Sequence, residues 1–158
     1  MPKNRNKNQV FEKLEVLDAG AKGKSIAKAP DGRVVFLSNA IPGDVVDVLT
    51  TKKRTAYFEG QAIKFHTLSN KRTNPKCEHF GVCGGCKWQN MAYEHQLYYK
   101  QNEVENHLRR IGKVELPEVS PILGSEKQYF YRNKMEYAFS NARWLTKEEL
   151  NSSTAITN

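Results

Sequence analysis

The sequence predicts a mainly β chain with one helix, in which a five-stranded barrel is followed by the start of an α/β domain. Three observations carry this. Five short runs of alternating or β-branched residues lie between positions 10 and 65, separated by Gly, Pro and Asp turn signals. A single amphipathic pattern of helical period follows at Tyr93 to Ile111. Between the two, all three cysteines of the chain fall within ten residues.

The chain's 158 residues suit one compact domain with an appendage and are short for a complete two-domain enzyme. The excess of 25 Lys+Arg over 17 Asp+Glu leaves a charge of +8. With a mean hydropathy of -0.70, this describes a modest core under a basic surface, which favours a polyanionic partner. The start, Met-Pro-Lys-Asn-Arg-Asn-Lys-Asn8, lacks the apolar run of a signal peptide, and no stretch approaches membrane-spanning length. Clustered cysteines in odd number argue against a disulfide framework, so the expected compartment is the cytoplasm.

Residues 1–9 form a basic, Asn-rich tail expected to be disordered. From Val10 the side chains alternate, with Val10, Glu12, Leu14, Val16 and Asp18 on one face and Phe11, Lys13, Glu15 and Leu17 on the other, until Gly20 and Gly23 interrupt the strand. Ser25 to Ala29 and Arg33 to Ser38 flank the turn Pro30-Asp31-Gly32 as a hairpin. Ile41-Pro42-Gly43-Asp44 is a second turn, with Pro preset for its first corner and Gly free to take positive φ. Val45 to Leu49 makes a fourth strand, Thr51-Lys52-Lys53-Arg54-Thr55 a basic loop, and Ala56 to Phe65 a fifth strand. Five such strands in about sixty residues fit an OB-like barrel, whose closure removes exposed sheet edges.

Residues 66–76 are a polar, basic linker, and the cysteine loop ends near Gln89. On the helix, Leu97, Val104, Leu108 and Ile111 fall on one stripe and Gly112 is placed as a C-cap. Pro117 and Pro121 make the stretch to Lys127 extended; Tyr129 to Phe139 then alternates as a strand. Thr146 to Glu149 resembles a capping box, and residues 141–158 are otherwise polar and expected to be disordered. The domain reading is a barrel at 10–65 and a partial central domain at 66–140.

Cys77, Cys83 and Cys86 are spaced C-x5-C-x2-C around Gly84 and Gly85. Thiolates converging on one side bind an iron-sulfur cluster or, with His79 or His95 as fourth ligand, zinc; a loop of reduced thiols is the third alternative. The glycines allow a tight turn and point amides at sulfur, while Phe80, Val82 and Trp88 are candidates for an apolar shell. A nucleophilic role is disfavoured, since no base or second half-site accompanies the cluster. The C-x3-C-x2-C spacing of radical enzymes also differs from this one.

For nucleic acid, Phe36, Tyr57 and Phe58 are candidate stacking platforms, with Phe36 expected in the core. Lys52, Lys53 and Arg54 are candidate phosphate contacts beside them, joined by Arg72 in the linker and by Arg132 and Lys134 on one face of the last strand. His66, His79, His95 and His107 show no spacing that demands catalysis.

The combination of Ile41-Pro-Gly-Asp44, Pro75-x-Cys77, Cys83-Gly-Gly-Cys86, Trp88-Gln89, Gln96-Leu97 with Lys100, and Tyr131-Arg-Asn-Lys134 resembles the bacterial RNA (uracil-5-)-methyltransferases. The likeness is to the 23S ribosomal RNA branch that carries an iron-sulfur cluster, and it covers residues 10 to 140. It implies an RNA-binding TRAM domain at 10–65 and a [4Fe-4S] cluster on Cys77, Cys83 and Cys86 with a fourth cysteine further along the chain. It also implies a Rossmann-like domain binding S-adenosylmethionine, with the catalytic cysteine and the base, none of which this sequence contains. The expectation is therefore the RNA-binding and iron-sulfur part of a 23S rRNA (uracil-C5) methyltransferase, inactive alone, with ribosomal RNA as partner and no obligate protein partner. The alternative is a standalone zinc-containing RNA-binding module.

Overall fold

The computed structural model describes residues 9–131 and residues 134, 136, 139–141 and 145. These fall into two compact units, Met1–Ile122 and Leu123–Asn158. The first holds a closed barrel of five strands, β1 (Val10–Gly20), β2 (Lys24–Lys28), β3 (Val34–Ser38), β4 (Val45–Lys53) and β5 (Tyr57–Thr67), and one helix, α1 (Tyr93–Asn106). Around the barrel the order is β1-β2-β3-β5-β4, with β3 and β5 parallel and every other pair antiparallel.

Alternation puts Val35 and Leu37 of β3, Val46 and Val48 of β4, Ala27 of β2 and Phe58 of β5 inside. β1 does not keep a simple period of two. Its buried residues are Phe11, Leu14, Val16 and Ala19, because one-residue bulges fall between Phe11 and Leu14 against β4 and between Val16 and Asp18 against β2. Each bulge rephases the strand and lets a long β1 bend around two neighbours. The first takes Lys13 to φ 49 and turns its N–H out of the ladder, where Asp47 Oδ1 accepts it at 2.8 Å. His66 Nε2 shares the same oxygen at 2.7 Å. These two hydrogen bonds, the Lys13 amide foremost, hold the Asp47 carboxyl below the ordinary aspartate value.

In β5 an added Cβ at Gly60 would lie 2.7 Å from the Leu49 carbonyl oxygen, so no larger residue fits where the strands close the barrel. One end of the core is capped by Arg33. Its guanidinium lies 4.0 Å from the centre of the Phe58 ring, is bonded to Asp31 at 2.6 and 2.9 Å, and donates to the Arg54 carbonyl at 3.2 Å.

The other end is organised by Asp44, which is fully buried. The turn Ile41-Pro42-Gly43-Asp44 brings the carboxylate back to accept the Ile41 N–H at 2.7 Å. Gly43 sits at φ 94 and packs so closely on Ser69 that a Cβ would meet Oγ at 2.7 Å. The same carboxylate accepts the Ser69 N–H at 2.9 Å and both arms of Arg72, Nε at 2.8 Å and Nη2 at 2.6 Å. Arg72 also lies 5.0 Å over the Phe65 ring. It is therefore a bidentate structural partner rather than the phosphate contact expected from its place in a basic linker.

Residues 71–73 pair with residues 90–92 through Ala92 N–H to the Lys71 carbonyl, Thr73 N–H to the Asn90 carbonyl and the Arg72 to Met91 bridge. They form a neck from which the cysteine loop emerges. A second small core of Ala19, Ile41, Met91 and Tyr99, with Trp88 against it, seats α1 on the barrel. Gln96 holds the first turn by donating to the carbonyls of Trp88 at 3.0 Å and Met91 at 2.8 Å.

Several expectations are corrected. Thr51, Lys52 and Lys53 continue β4 instead of forming a loop, because β5 pairs with them as far as Phe58. Gln9, assigned to the disordered tail, exchanges hydrogen bonds with the Thr50 hydroxyl at 2.8 and 2.9 Å. On α1 the packed residue is Tyr99, while Val104, Leu108 and Ile111 are 57%, 40% and 75% exposed. The barrel end offers only Ala19, Ile41 and Met91, a surface that takes one ring and not a stripe. The helix gives way to a π turn at His107–Ile111, and Gly112 keeps φ -71, so Lys113 at φ 52 makes the left-handed step instead. Tyr129–Tyr131, Lys134, Glu136 and Phe139 are not in a strand; Arg132, Asn133, Met135 and Tyr137, and the capping box at 146–149, lie outside the described residues.

Two outcomes follow for stability. Asp44→Ala leaves Arg72 and two amides without their acceptor and should lower unfolding free energy by about 3–5 kcal/mol in denaturant melts. Arg72→Met should also destabilise by stranding a buried carboxylate, and Asp44→Ala with Arg72→Met together should cost less than the sum of the two singles; strict additivity would contradict the pairing. For Asp47 the native pKa is below the unfolded one, so its contribution is full above about pH 4 and is lost as pH falls through the lowered value. Urea midpoints of the wild type and Asp47→Asn should therefore converge on acidification, and a gap that stays constant would show that the ionised carboxylate contributes nothing.

Candidate nucleic-acid interface and cysteine loop

The inward set of each strand fixes what faces out. With Val35 and Leu37 inside, β3 presents Val34, Phe36 and Ser38 outward; with Phe58 and Gly60 inside, β5 presents Tyr57, Glu59 and Gln61. Phe36 is thus half-buried on the outer surface rather than in the core, opposite Ile26 of β2 and Glu59 of β5. Its ring meets that of Tyr57 edge to face, with centroids 5.4 Å apart. Lys24 and Lys28 lie on the same outward side of β2, and Lys24 Nζ donates to Ser38 Oγ at 2.7 Å. Lys52 of β4 pairs across with Glu59, Nζ to Oε2 at 3.4 Å. Three lysines from two flanking strands therefore surround two outward rings, with one carboxylate among them.

The expected cationic residues divide. Lys52 and Tyr57 join this face. Lys53 is one register step further, opposite Phe58, with its ammonium 5.9 Å from that ring at the barrel end. Arg54 is exposed in the β4–β5 turn, where its N–H donates to the Tyr57 carbonyl at 2.9 Å. Arg72 is engaged by Asp44. Lys134 is exposed and bridges Glu136 at 3.1 Å, and Arg132 lies outside the described residues. Lys24 and Lys28 were missed as members of the face, and Phe36, named as a candidate platform but expected in the core, faces out. The signal that finds them is the phase of β2 and β3, in which small or branched Ala27, Val35 and Leu37 suit the narrow interior better than a phenyl ring.

In the cysteine loop, Cys77, Cys83 and Cys86 are all exposed thiols. Gly81 at φ 86 and Gly84 at φ 73 take left-handed bends in it; of the pair Gly84 and Gly85, only the first does so. The Gly85 N–H points at Cys83 Sγ at 3.5 Å. Gln89 closes the loop, accepting the Cys77 N–H on Oε1 at 2.7 Å and donating from Nε2 to Cys86 Sγ at 3.6 Å. Gly23 on the β1–β2 turn packs against Lys87, so close that a Cβ there would lie 2.4 Å from the lysine Cβ. Amide-to-sulfur contacts and soft donors suit iron-sulfur or zinc in chemistry. The placement does not match it: among the described residues no three His, Cys, Asp or Glu side chains converge on a common metal position. Neither His79 nor His95 is brought into such a set.

Among the described residues no helix is long and apolar enough to cross a membrane. Residues 7–63 match the TRAM domain family. A Bacteroides thetaiotaomicron protein named an uncharacterized RNA methyltransferase is 58% identical over 130 residues, 82% of this chain and 28% of that protein. A Porphyromonas gingivalis protein of the same name is 44% identical over 137 residues, 87% of this chain and 29% of its own length. The 23S rRNA (uracil(1939)-C(5))-methyltransferase RlmD of Francisella tularensis subsp. novicida is 36% identical over 132 residues, 83% of this chain and 29% of its own length. This chain thus spans under a third of the curated relatives it matches. Because an alignment of 130 residues in a chain of 158 must pass through the cysteine loop and α1, the likeness extends well past the barrel. The barrel thus matches the TRAM domain family over residues 7–63, and the chain that carries it is similar to proteins named as RNA methyltransferases.

Proposed function

We propose that this chain is the RNA-binding and cysteine-loop part of an S-adenosylmethionine-dependent 23S rRNA (uracil-C5) methyltransferase of the cytoplasm, and that by itself it binds RNA without methylating it. The observation that supports this most is the closed TRAM barrel with lysines and aromatic rings on one outer face, in a chain related to RNA methyltransferases. Ribosomal RNA as the target rests on the likeness to the Francisella 23S rRNA methyltransferase.

C5 methylation needs a thiolate to activate the pyrimidine, a methyl donor and a base. The sulfur contacts in this loop are to the amides of Gly85 and Gln89, which orient thiolates but accept no proton. The loop therefore serves binding and not attack. Cys77, Cys83 and Cys86 are the residues that would hold a [4Fe-4S] cluster, with a fourth ligand from outside this set and with closure of the loop on the metal. Such a group, where bound, would tie the three cysteines together and so hold the loop, and no chemical step is assigned to it.

Filter binding of the purified chain to a 23S rRNA fragment should give affinity that falls with salt. Incubation with that RNA and S-adenosylmethionine should transfer no methyl group; any turnover would overturn the assignment of this chain as a binding part. Metal analysis should find iron with sulfide, whereas one zinc per chain without sulfide would favour the standalone zinc module. Gln89→Ala should open the loop and speed hydrogen exchange at the Cys77 amide about tenfold, as loss of one exposed hydrogen bond implies. Unchanged exchange there would remove Gln89 from its closing role.

A further inference from the structure

We infer that Phe36 and Tyr57 form a base-stacking platform for single-stranded RNA, with Lys24, Lys28 and Lys52 holding the phosphate chain on either side. This rests on the reading of the barrel as an RNA binder and names where on it the strand lies.

The register leaves little freedom in the arrangement. Phe36 and Tyr57 are diagonal neighbours on the parallel β3–β5 pair, both outward and both half-buried, with their rings edge to face at an interplanar angle of 77°. A purely structural cross-strand pair is served as well by aliphatic residues, as Ile26 and Val34 show on the same face. At 77° to each other the two rings can offer one π face to a base while the other ring braces it edge-on, and such a face stacks on any base. Lysines stand on β2 and β4, the strands flanking β3 and β5, and Lys52 lies across from Glu59, so the cationic groups border the rings on two sides. From β2 to β4 is three strand spacings, about 14 Å, and the four residues from Lys24 to Lys28 span about 13 Å. That area takes a few nucleotides of an extended strand, the scale of one small barrel's site.

A duplex would not use it. In A-form RNA the bases stack on each other and leave no face for a protein ring, so the platform selects unpaired residues. The lysines are point charges on flexible stems that follow phosphate without a fixed hydrogen-bonding fork, so the face is tolerant of sequence.

The test uses the full chain, a 12-nucleotide single-stranded RNA and its duplex. Phe36→Leu and Tyr57→Leu keep apolar cover while removing the rings; each should weaken single-strand binding roughly tenfold at unchanged salt slope. Lys24→Gln, Lys28→Gln and Lys52→Gln should each lower the magnitude of that slope by about 0.7. The wild type should prefer the single strand to the duplex. Ultraviolet crosslinking of the wild-type complex, which requires no variant to fold, should place nucleotides on peptides containing Phe36 or Tyr57. If the wild type binds RNA but the leucine variants bind as tightly, or crosslinks fall only elsewhere, the platform is overturned and the RNA-binding barrel stands. If the wild type binds no RNA, both fall.

Discussion

The carboxylate of Asp44 is the contact from which the rest of this molecule is hung. It is wholly removed from water, and a buried charge costs several kcal/mol unless hydrogen bonds replace its hydration. Four donors do so: two backbone amides and both arms of one guanidinium. They come from three places in the chain, the β3–β4 turn, the segment leaving β5, and the neck of the cysteine loop. The charge therefore does what an apolar contact would not, since the fork of Arg72 fits a carboxylate in one orientation only. That orientation sets the neck against the barrel end, where Met91 and Tyr99 complete the seat of the helix.

The barrel's own geometry follows from accommodating a small interior. Ala27, Ala29 and Ala40 share the core with Val, Leu and two edge-to-face phenyl rings, Phe11 and Phe58, 5.0 Å apart. The phase of β3 puts Val35 and Leu37 inside, and Phe36 is turned out. The bulges in β1 and the close approach at Gly60 are the means by which five strands close on so little volume. Each device exports something to the surface. The bulge at Lys13 is met by Asp47 and His66, and the phase of β3 puts an aromatic ring among lysines.

The cysteine loop is held differently, by amides and by its neck. Gln89 ties its first and last cysteines, and the Gly23 to Lys87 contact presses its far side to the β1–β2 turn. The three thiols are exposed, and among the described residues no three metal-ligating side chains converge. The chain spans under a third of the length of the relatives it matches, and within it the barrel and the loop are held by separate sets of contacts.

Read alone, the sequence determined the five strands, their turns, the helix and the grouping of the thiols, because these depend on local chemistry. Pro30-Asp31-Gly32 and Ile41-Pro-Gly-Asp44 bend wherever they occur, and alternation reports a half-buried strand without reference to its partner. Its resemblance to RNA methyltransferases rested on those same local motifs. Only the tertiary structure decided what each polar or aromatic residue was for. Arg72 looked like a phosphate contact until its partner, 28 residues away, was in place. Phe36 lies in Val-Val-Phe-Leu-Ser, apolar on both faces, so its side depends on the volume inside the barrel. The helical stripe of Leu97, Val104, Leu108 and Ile111 had the right spacing to be buried, yet only Leu97 is part-buried and the helix residue in the second core is Tyr99. Periodicity says which residues share a face; the surface opposite decides whether that face is covered.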